Sequence, residues 1–410
     1  MRAAVSRGEA IKVTGPANVS VEKGCVLVNG VEVCEGRNVI VHRVRSYVFY
    51  AVQDSSLDIV LGEGSSVEKI SGDDPFAERY ATAELILTAS PRKIVVVGGT
   101  DAGKTSFTTI LSNLSLTKGS RPAVVDGDMG QANIGPPGFI SLGFPETFVY
   151  WNTEIPPFKM RFVGEIKPHG AMGLAISYMS ELVEDALRKS ATPVIVDTDG
   201  WISDARAIEY KYQLIDTLRP DVVVVIGEEL RGVFKQLEKE GISVYELRSP
   251  SSHRTRSRDE RRLMRSMRYR DFLVNAPLLK ISMEKVVVTG SPLFYGVELE
   301  RGLVDSLGEG VIYACKLFDT LYIYGDAKRV NPGRVMELGF SRYKVFPAGL
   351  EKGLYVALSD NSGDYPALLE KFDFANRLIS VRSAYRGTPL ALKLSRIKLR
   401  EDFTEEYIEV

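Results

Sequence analysis

Three blocks of patterning divide the chain. Residues 1 to about 85 carry short alternating apolar runs, Ile11-Lys12-Val13, Cys25-Val26-Leu27-Val28, Val39-Ile40-Val41 and Tyr47-Val48-Phe49, broken by Gly and Asn turns. Alternation with a period of two marks half-buried strands. Val28-Asn29-Gly30-Val31 predicts a hairpin, because Asn-Gly tolerates the positive φ angles of a tight turn. This block reads as a small sandwich or barrel ending near Asp73-Asp74-Pro75. From about 90 to 285 the pattern changes. Runs at 94–97, 122–125, 194–197 and 222–226 are continuous and β-branched, as in strands covered on both faces. Helical spacing fills 104–114, 174–189, 205–218 and 228–240. Such alternation predicts a mostly parallel sheet with helices on both sides and ligands beyond the carboxyl ends of its strands. Beyond about 286 the chain is β-rich again, with candidate strands at 286–288, 311–313, 321–324, 354–358 and 378–381. The expected fold is α/β: a central domain over 86–285, flanked by β-rich domains over 1–85 and 286–410.

The loop after the first core strand carries the clearest chemistry. Gly98-Gly99-Thr100-Asp101-Ala102-Gly103-Lys104-Thr105 follows Ile94–Val97 and leads through Ser106 into helical spacing. It matches G-x-x-x-x-G-K-[ST], the phosphate-binding loop. Glycines let successive N–H groups converge on phosphate oxygens. Lys104 is placed to reach the β- and γ-phosphates, and the Thr105 hydroxyl to ligate Mg²⁺. The central domain is therefore expected to be a P-loop NTPase fold.

Three further motifs fall at strand ends or just after the core. Asp126-Gly127-Asp128-Met129-Gly130-Gln131 follows Ala123–Val125. Two carboxylates one residue apart can divide labour, one toward a metal and one toward an incoming hydroxyl that needs a proton acceptor. A solvated Asp-Gly turn is the plainer reading. Asp197-Thr198-Asp199-Gly200-Trp201 follows Val194–Val196 and also fits the D-x-x-G of GTP-hydrolysing switches. Trp201 offers a face on which a nucleobase stacks, or else caps the sheet as core. Trp151 has no comparable context. Residues 252–270 hold eight arginines and no lysine against three acids if Asp271 is counted, a local charge of +5. Arg254, Arg258, Arg261, Arg262 and Arg265 recur at spacings of three and four, and arginine suits bidentate contact with phosphate. The alternatives are a lid over a triphosphate and a solvated helix face.

Composition narrows the classes. A net charge of −1 over 410 residues gives no global field for nucleic acid, so a polyanion site must be local. Cys25, Cys34 and Cys315 form no C-x-x-C pair, which suits a reducing interior with neither a disulfide framework nor a zinc knuckle. His42, His169 and His253 show no metal spacing, no G-x-S-x-G elbow occurs, and no N-K-x-D guanine signal is present. No apolar stretch is long enough to span a bilayer, and the N-terminus, with Arg2, Arg7 and Glu9, lacks a signal-peptide core. A cytoplasmic protein is expected. Scarce Gln beside abundant Arg, Lys and Glu matches a thermophile bias.

In order, Thr-Asp-Ala-Gly-Lys-Thr at 100–105, D-x-D-x-G-Q at 126–131, T-x-G-W at 198–201 and the arginine run from Arg254 resemble the polynucleotide 5′-hydroxyl kinases. That family includes archaeal RNA kinases and a kinase subunit of eukaryotic mRNA 3′-end and tRNA-splicing machinery. The three-block layout is similar too. The resemblance implies ATP and Mg²⁺ as cofactors, with ATP held by Gly98 to Ser106. Thr105 and Asp126 would hold the metal, and Lys104 would grip the triphosphate. Asp128 would orient and deprotonate a 5′-hydroxyl. Gln131, Thr198, Gly200, Trp201 and Arg254 would bind the substrate end, and Arg258 and Arg262 would close over the phosphates. Asp199 stands where relatives often carry Pro or Cys. Adenine would lie between the core and the N-terminal domain. The implied substrates are 5′-OH ends of RNA or DNA, with RNA-processing proteins as further partners and no membrane. Two other readings stand beside it: an ATP-bound scaffold without turnover, and an ATPase or GTPase switch.

Overall fold

The computed structural model describes residues 1–70, 75–250 and 256–408. By contacts the chain divides into two compact units. The first comprises 1–135, 140–159 and 167–264, and the second 136–139, 160–166 and 265–410.

In the first unit the N-terminal strands form two antiparallel sheets. One has four strands in the order Arg2–Val5, Ser55–Leu61, Ala17–Lys23, Asn38–Val41. The other has five, in the order Val31–Cys34, Cys25–Val28, Ser46–Ala51, Ala10–Thr14, Ser66–Lys69. Alternation places Tyr47, Phe49 and Ala51 inward, where they meet Val13, Val19, Val26, Leu57 and Ile59 in one apolar core. The Asn29-Gly30 hairpin forms as expected, with φ of 45° and 91°, and it sets the register Val28↔Val31 through Cys25↔Cys34. That register brings the two cysteines face to face, and they are joined as a disulfide. The expectation of no disulfide is corrected here: a two-residue turn with strands of equal length makes positions 25 and 34 cross-strand neighbours.

The core sheet has seven strands in the order Pro157–Phe162, Phe139–Gly143, Ala123–Asp126, Val194–Asp197, Lys93–Gly98, Val222–Ile226, Ser243–Leu247. The last five run parallel, and Phe139–Gly143 pairs antiparallel with Ala123–Asp126. Every residue of Val194–Asp197 and Val222–Ile226 is buried, as their unbroken β-branched character predicts. Helices span Phe76–Thr88, Lys104–Thr117, Met172–Arg188 and Ala205–Leu218. The helix expected over 228–240 is instead two short 3₁₀ segments, Glu228–Leu230 and Lys235–Glu240, separated at Gly232, whose φ of 74° is left-handed. The arginine run becomes a helix over Arg258–Leu273. Among the described residues, no helix is long and apolar enough to cross a membrane.

In the second unit a largely antiparallel sheet runs Leu278–Ser282, Leu378–Arg382, Gly363–Asp373, Leu354–Asp360, Ala391–Leu399, Val287–Thr289. A four-stranded sheet runs Val297–Glu298, Val311–Leu317, Thr320–Gly325, Arg342–Pro347. The candidate chemistry all lies in the first unit.

Candidate active site

The phosphate loop starts where the Lys93–Gly98 strand ends. Two residues turn it: Asp101 at φ 61° and Gly103 at φ 92°. An aspartate tolerates the left-handed region better than most side chains. Gly103 has a second constraint, since a Cβ there would lie 2.6 Å from a guanidinium nitrogen of Arg79. Arg79, buried on the Phe76–Thr88 helix, braces the loop from outside by donating to the carbonyls of Ala102 and Arg248 at 3.0 and 2.8 Å. Lys104 opens the following helix, whose unpaired N–H groups favour an anion. Its Nζ is buried and donates to Gly99 O at 2.8 Å.

Parallel register lines up the acids. Asp126 and Asp197 are direct neighbours at the carboxyl ends of adjacent strands, and Asp197 is also level with Val96 beside the loop. Their carboxylates are used differently. Asp126 accepts from the N–H groups of Asn133, Ile134 and Asp128 at 2.6, 2.9 and 3.3 Å, so it shapes its own loop. Asp197 Oδ2 accepts the Thr105 hydroxyl at 2.7 Å, while its buried Oδ1 has no partner among the described residues. Asp128 Oδ1 accepts from Gly130 N and Gln131 N, which turns the D-x-D-x-G-Q segment toward the phosphate loop. Burial raises the affinity of all three acids for protons. Asp126 is pushed up to about 7, with the Asp197 charge adding to burial, and Asp197 to about 6. Asp128 is raised by burial and by the charge of Asp199.

One cleft of about 200 Å³ opens beside these groups, and of the three acids only Asp128 lines it. Thr100, Asp101, Gly103, Lys104, Thr105, Ser106, Asp128 and Gln131 line it. Gly98, Gly99, Ala102, Asp126, Thr198, Gly200, Trp201, Arg258 and Arg262 do not. Arg254 and His253 lie outside the described residues. On the far wall stand Lys12, Val44, Arg45, Ser46 and Val48 from the N-terminal sandwich, together with Trp151. Trp151 was missed in the sequence. Its Nε1 donates to Asn133 Oδ1 at 2.8 Å, its ring lies 24° from that of Tyr47, and the Arg45 guanidinium sits 4.6 Å over it. A loop tryptophan carries no periodicity, so nothing local announced that role.

The arginine helix meets the loop through residues near its start. Arg256 Nη1 donates to Asp101 Oδ1 at 2.8 Å and its backbone N to Oδ2 at 3.1 Å, and Arg261 Nη2 donates to Oδ2 at 3.2 Å. Arg258 is exposed and Arg262 half-buried. The T-x-G-W segment packs tightly on the phosphate loop. The Thr198 hydroxyl donates to Val96 O, and a Cβ on Gly200 would lie 2.6–2.8 Å from Thr100. Trp201 stacks on His169 at 3.9 Å and donates from Nε1 to Asp204 at 2.9 Å.

A strand, a glycine-turned loop, a buried lysine at a helix start and a hydroxyl on an aspartate from the neighbouring strand define a P-loop nucleotide site, here with a second acid, Asp128, in the same cleft. Comparison with known proteins narrows the class. Residues 98–275 match the family described as mRNA cleavage and polyadenylation factor CLP1 P-loop. A polyribonucleotide 5′-hydroxyl-kinase of Pyrococcus furiosus is 30% identical over 347 residues, covering 81% of this chain and 95% of that protein. One from Methanocaldococcus jannaschii is 32% identical over 298 residues, covering 71% and 81%. A CLP1 homolog of Arabidopsis thaliana is 28% identical over 213 residues, covering 48% and 47%. The chain belongs to the polyribonucleotide 5′-hydroxyl-kinase family, and it is an enzyme of the P-loop kinase kind, an ATP user. In fold it is similar to Clp1p in the Clp1p–Pcf11p complex, with a TM-score of 0.65 at 15% identity over 97% of both chains.

Proposed function

We propose that this protein transfers the γ-phosphate of ATP to the 5′-hydroxyl of an RNA end. The observation that carries the reading is that Lys104, Thr105 and Asp128 line one cleft. Lys104 leaves the Gly99 carbonyl and takes the β- and γ-phosphates, while the loop N–H groups hold the remaining oxygens. Asp128 accepts the proton of the 5′-hydroxyl and aims that oxygen in line with the γ-phosphorus. Its elevated proton affinity suits that task better than an ordinary carboxylate. Arg256 and Arg261 neutralise charge spreading over the transferred group. The ATP base lies on the wall built by Val44, Arg45, Val48 and Trp151. Gln131, Thr198, Gly200 and Trp201 receive the first nucleotide of the RNA.

A divalent cation fits beside the loop. Thr105 and Asp197 would hold it, because the buried Asp197 Oδ1 lacks a partner among the described residues and Mg²⁺ is held by few carboxylates, substrate phosphates and water. Bound there, Mg²⁺ neutralises phosphate charge. Asp126, saturated by three N–H groups, shapes the loop in this reading rather than binding the ion. In this reading residues 1–85 serve the base, 86–285 the phosphates and 286–410 an accessory role.

The test is transfer of label from γ-labelled ATP to 5′-OH oligonucleotides of RNA and DNA. Labelling of RNA by wild type, lost in Lys104→Ala and Asp128→Asn, is the expected result. No labelling by wild type, with ATP retained on the protein, would instead indicate a scaffold.

A further inference from the structure

Behind the T-x-G-W segment lies a fully buried lysine that the mechanism above does not use. Lys211, in the middle of the Ala205–Leu218 helix, has a side chain with no exposed area. Its Nζ donates to Asp199 Oδ2 at 2.7 Å and to the Asp199 carbonyl at 3.0 Å. The other carboxylate oxygen, Oδ1, accepts the backbone N–H of Trp201 at 2.9 Å. Burial of an ammonium is costly and persists only where it is paired and hydrogen-bonded. Here that requirement is met by one aspartate, and the aspartate in turn fixes the peptide that carries the indole.

We propose that Lys211 is a positioning residue for the RNA end: through Asp199 it fixes where Gly200 and Trp201 stand, and it cancels a carboxylate charge that would otherwise face the incoming phosphate backbone. The inference rests on the kinase reading and names a residue that deepens it. Three observations support it. The segment is tied at both ends, since Asp199 binds Lys211 and the Trp201 indole binds Asp204, which also caps the helix that carries Lys211 by accepting from Ala207 N. The segment is in register with the phosphate loop, because Gly200 has no room for a Cβ against Thr100 and the Thr100 hydroxyl bonds Gly200 O at 3.3 Å. The site is also rich in negative charge: Asp126 and Asp197 end two adjacent strands, and Asp128 and Asp199 follow each of them by two residues. Among the described residues the ion pair of Asp199 is with Lys211, whereas Lys104 Nζ donates to the Gly99 carbonyl. The Lys211 ammonium also lies 4.8 Å over the Tyr210 ring, which holds its direction.

The experiment compares wild type, Lys211→Met and Lys211→Met with Asp199→Asn in the full chain. Affinity for a fluorescent 5′-OH RNA oligonucleotide is read by anisotropy, ATP affinity by calorimetry, and the kcat and KM for each substrate by label transfer. Breaking a buried pair by removing one partner leaves an unpaired charge, so Lys211→Met should weaken RNA about tenfold or more, with ATP affinity within about twofold of wild type. The double variant lacks both charges and keeps an acceptor for Trp201 N–H, so RNA affinity should return to within about threefold. Should Lys211→Met fail to fold, Asp199→Asn takes its place, since it leaves Lys211 unpaired while keeping the acceptor for Trp201 N–H: weaker RNA with ATP affinity unchanged supports the proposal, and RNA affinity unchanged or a loss shared equally by RNA and ATP overturns it. Equal loss for both substrates in the single variant, or a double variant no better than the single, overturns it as well. A wild type that binds RNA without transferring phosphate defeats the kinase reading, and the anisotropy comparison still decides the role of Lys211.

Discussion

The Arg256 guanidinium and the Asp101 carboxylate meet at 2.8 Å, and the same carboxylate also receives the Arg256 backbone N–H and Arg261. Asp101 is the loop residue held at φ 61°, so the arginine helix is anchored on the most strained non-glycine position of the phosphate loop. The carboxylate is nearly buried, which makes the pair worth more than a surface ion pair. Asp101→Ala and Arg256→Ala should each raise the KM for ATP, and the double variant should fall short of their sum by roughly 0.5–3 kcal/mol. Steady-state kinetics on the four proteins measure the coupling; strict additivity would remove the anchor.

Thr105 and Asp197 form the second testable pair. Asp197→Asn keeps the acceptor for the Thr105 hydroxyl but removes the charge. It should weaken the activating divalent ion by roughly 10–100-fold, as for groups that orient a bound metal. Titration of activity against Mg²⁺ at saturating ATP reads this directly, and an unchanged Mg²⁺ requirement would count against the assignment.

In the proposed mechanism Asp128 sets the acid limb of the rate profile. The group must be deprotonated to accept the 5′-hydroxyl proton, and burial with the nearby Asp199 charge raises its pKa above the ordinary carboxylate range. Activity is therefore full at high pH and lost as pH falls through that raised value, earlier in an acid titration than for an exposed aspartate. Asp128→Asn should abolish the limb and lower kcat by roughly 10²–10⁴-fold. A profile flat down to pH 4 in wild type would contradict the role.

Arg45 lies 4.6 Å over Trp151 on the wall facing the phosphate loop. Arg45→Ala should raise the KM for ATP several-fold with little change in kcat, as expected from a cation–π contact of roughly 0.5–2 kcal/mol. A fall in kcat with KM unchanged would place Arg45 elsewhere in the mechanism.

The Cys25–Cys34 link predicts a thiol count. Denatured without reductant, the chain should expose one titratable thiol, Cys315, and three after reduction. Closing so short a loop is worth about 2–3 kcal/mol in the chain-entropy model, so reduction should lower the melting temperature. Three thiols before reduction would refute the link.

Much of the frame was legible because its signals are local. Val222–Ile226 is apolar without a break, and the Gly98–Thr105 loop has fixed spacing between a strand and a helix. Asn29-Gly30 even encodes the Cys25–Cys34 pairing, since counting three residues outward from Val28 and Val31 reaches both cysteines. Other parts depend on partners far along the chain. That Asp197 meets Thr105 follows from which strand lies beside Lys93–Gly98, a matter of sheet order. Trp151 meets Tyr47 and Arg45 across about a hundred residues, and no periodicity records such a contact. In the arginine run, Arg256 precedes the helix that begins at Arg258, so spacing within the helix could not single it out.

Asn113 lies on the helix that Lys104 opens, nine residues on. Its side chain donates to the carbonyls of Asn29 and Val149 at 2.7 Å each and accepts from Val149 N. The hairpin tip pressed against it favours glycine at position 30, where φ is 91° and a Cβ would lie 3.0 Å from Asn113 Cβ. One amide therefore holds the β-domain tip and the Trp151 stretch at a fixed offset from the lysine. Anyone grafting this β-domain onto another nucleotide-binding scaffold would have to transplant that amide along with it, or lose the spacing between the Trp151 wall and the phosphate loop.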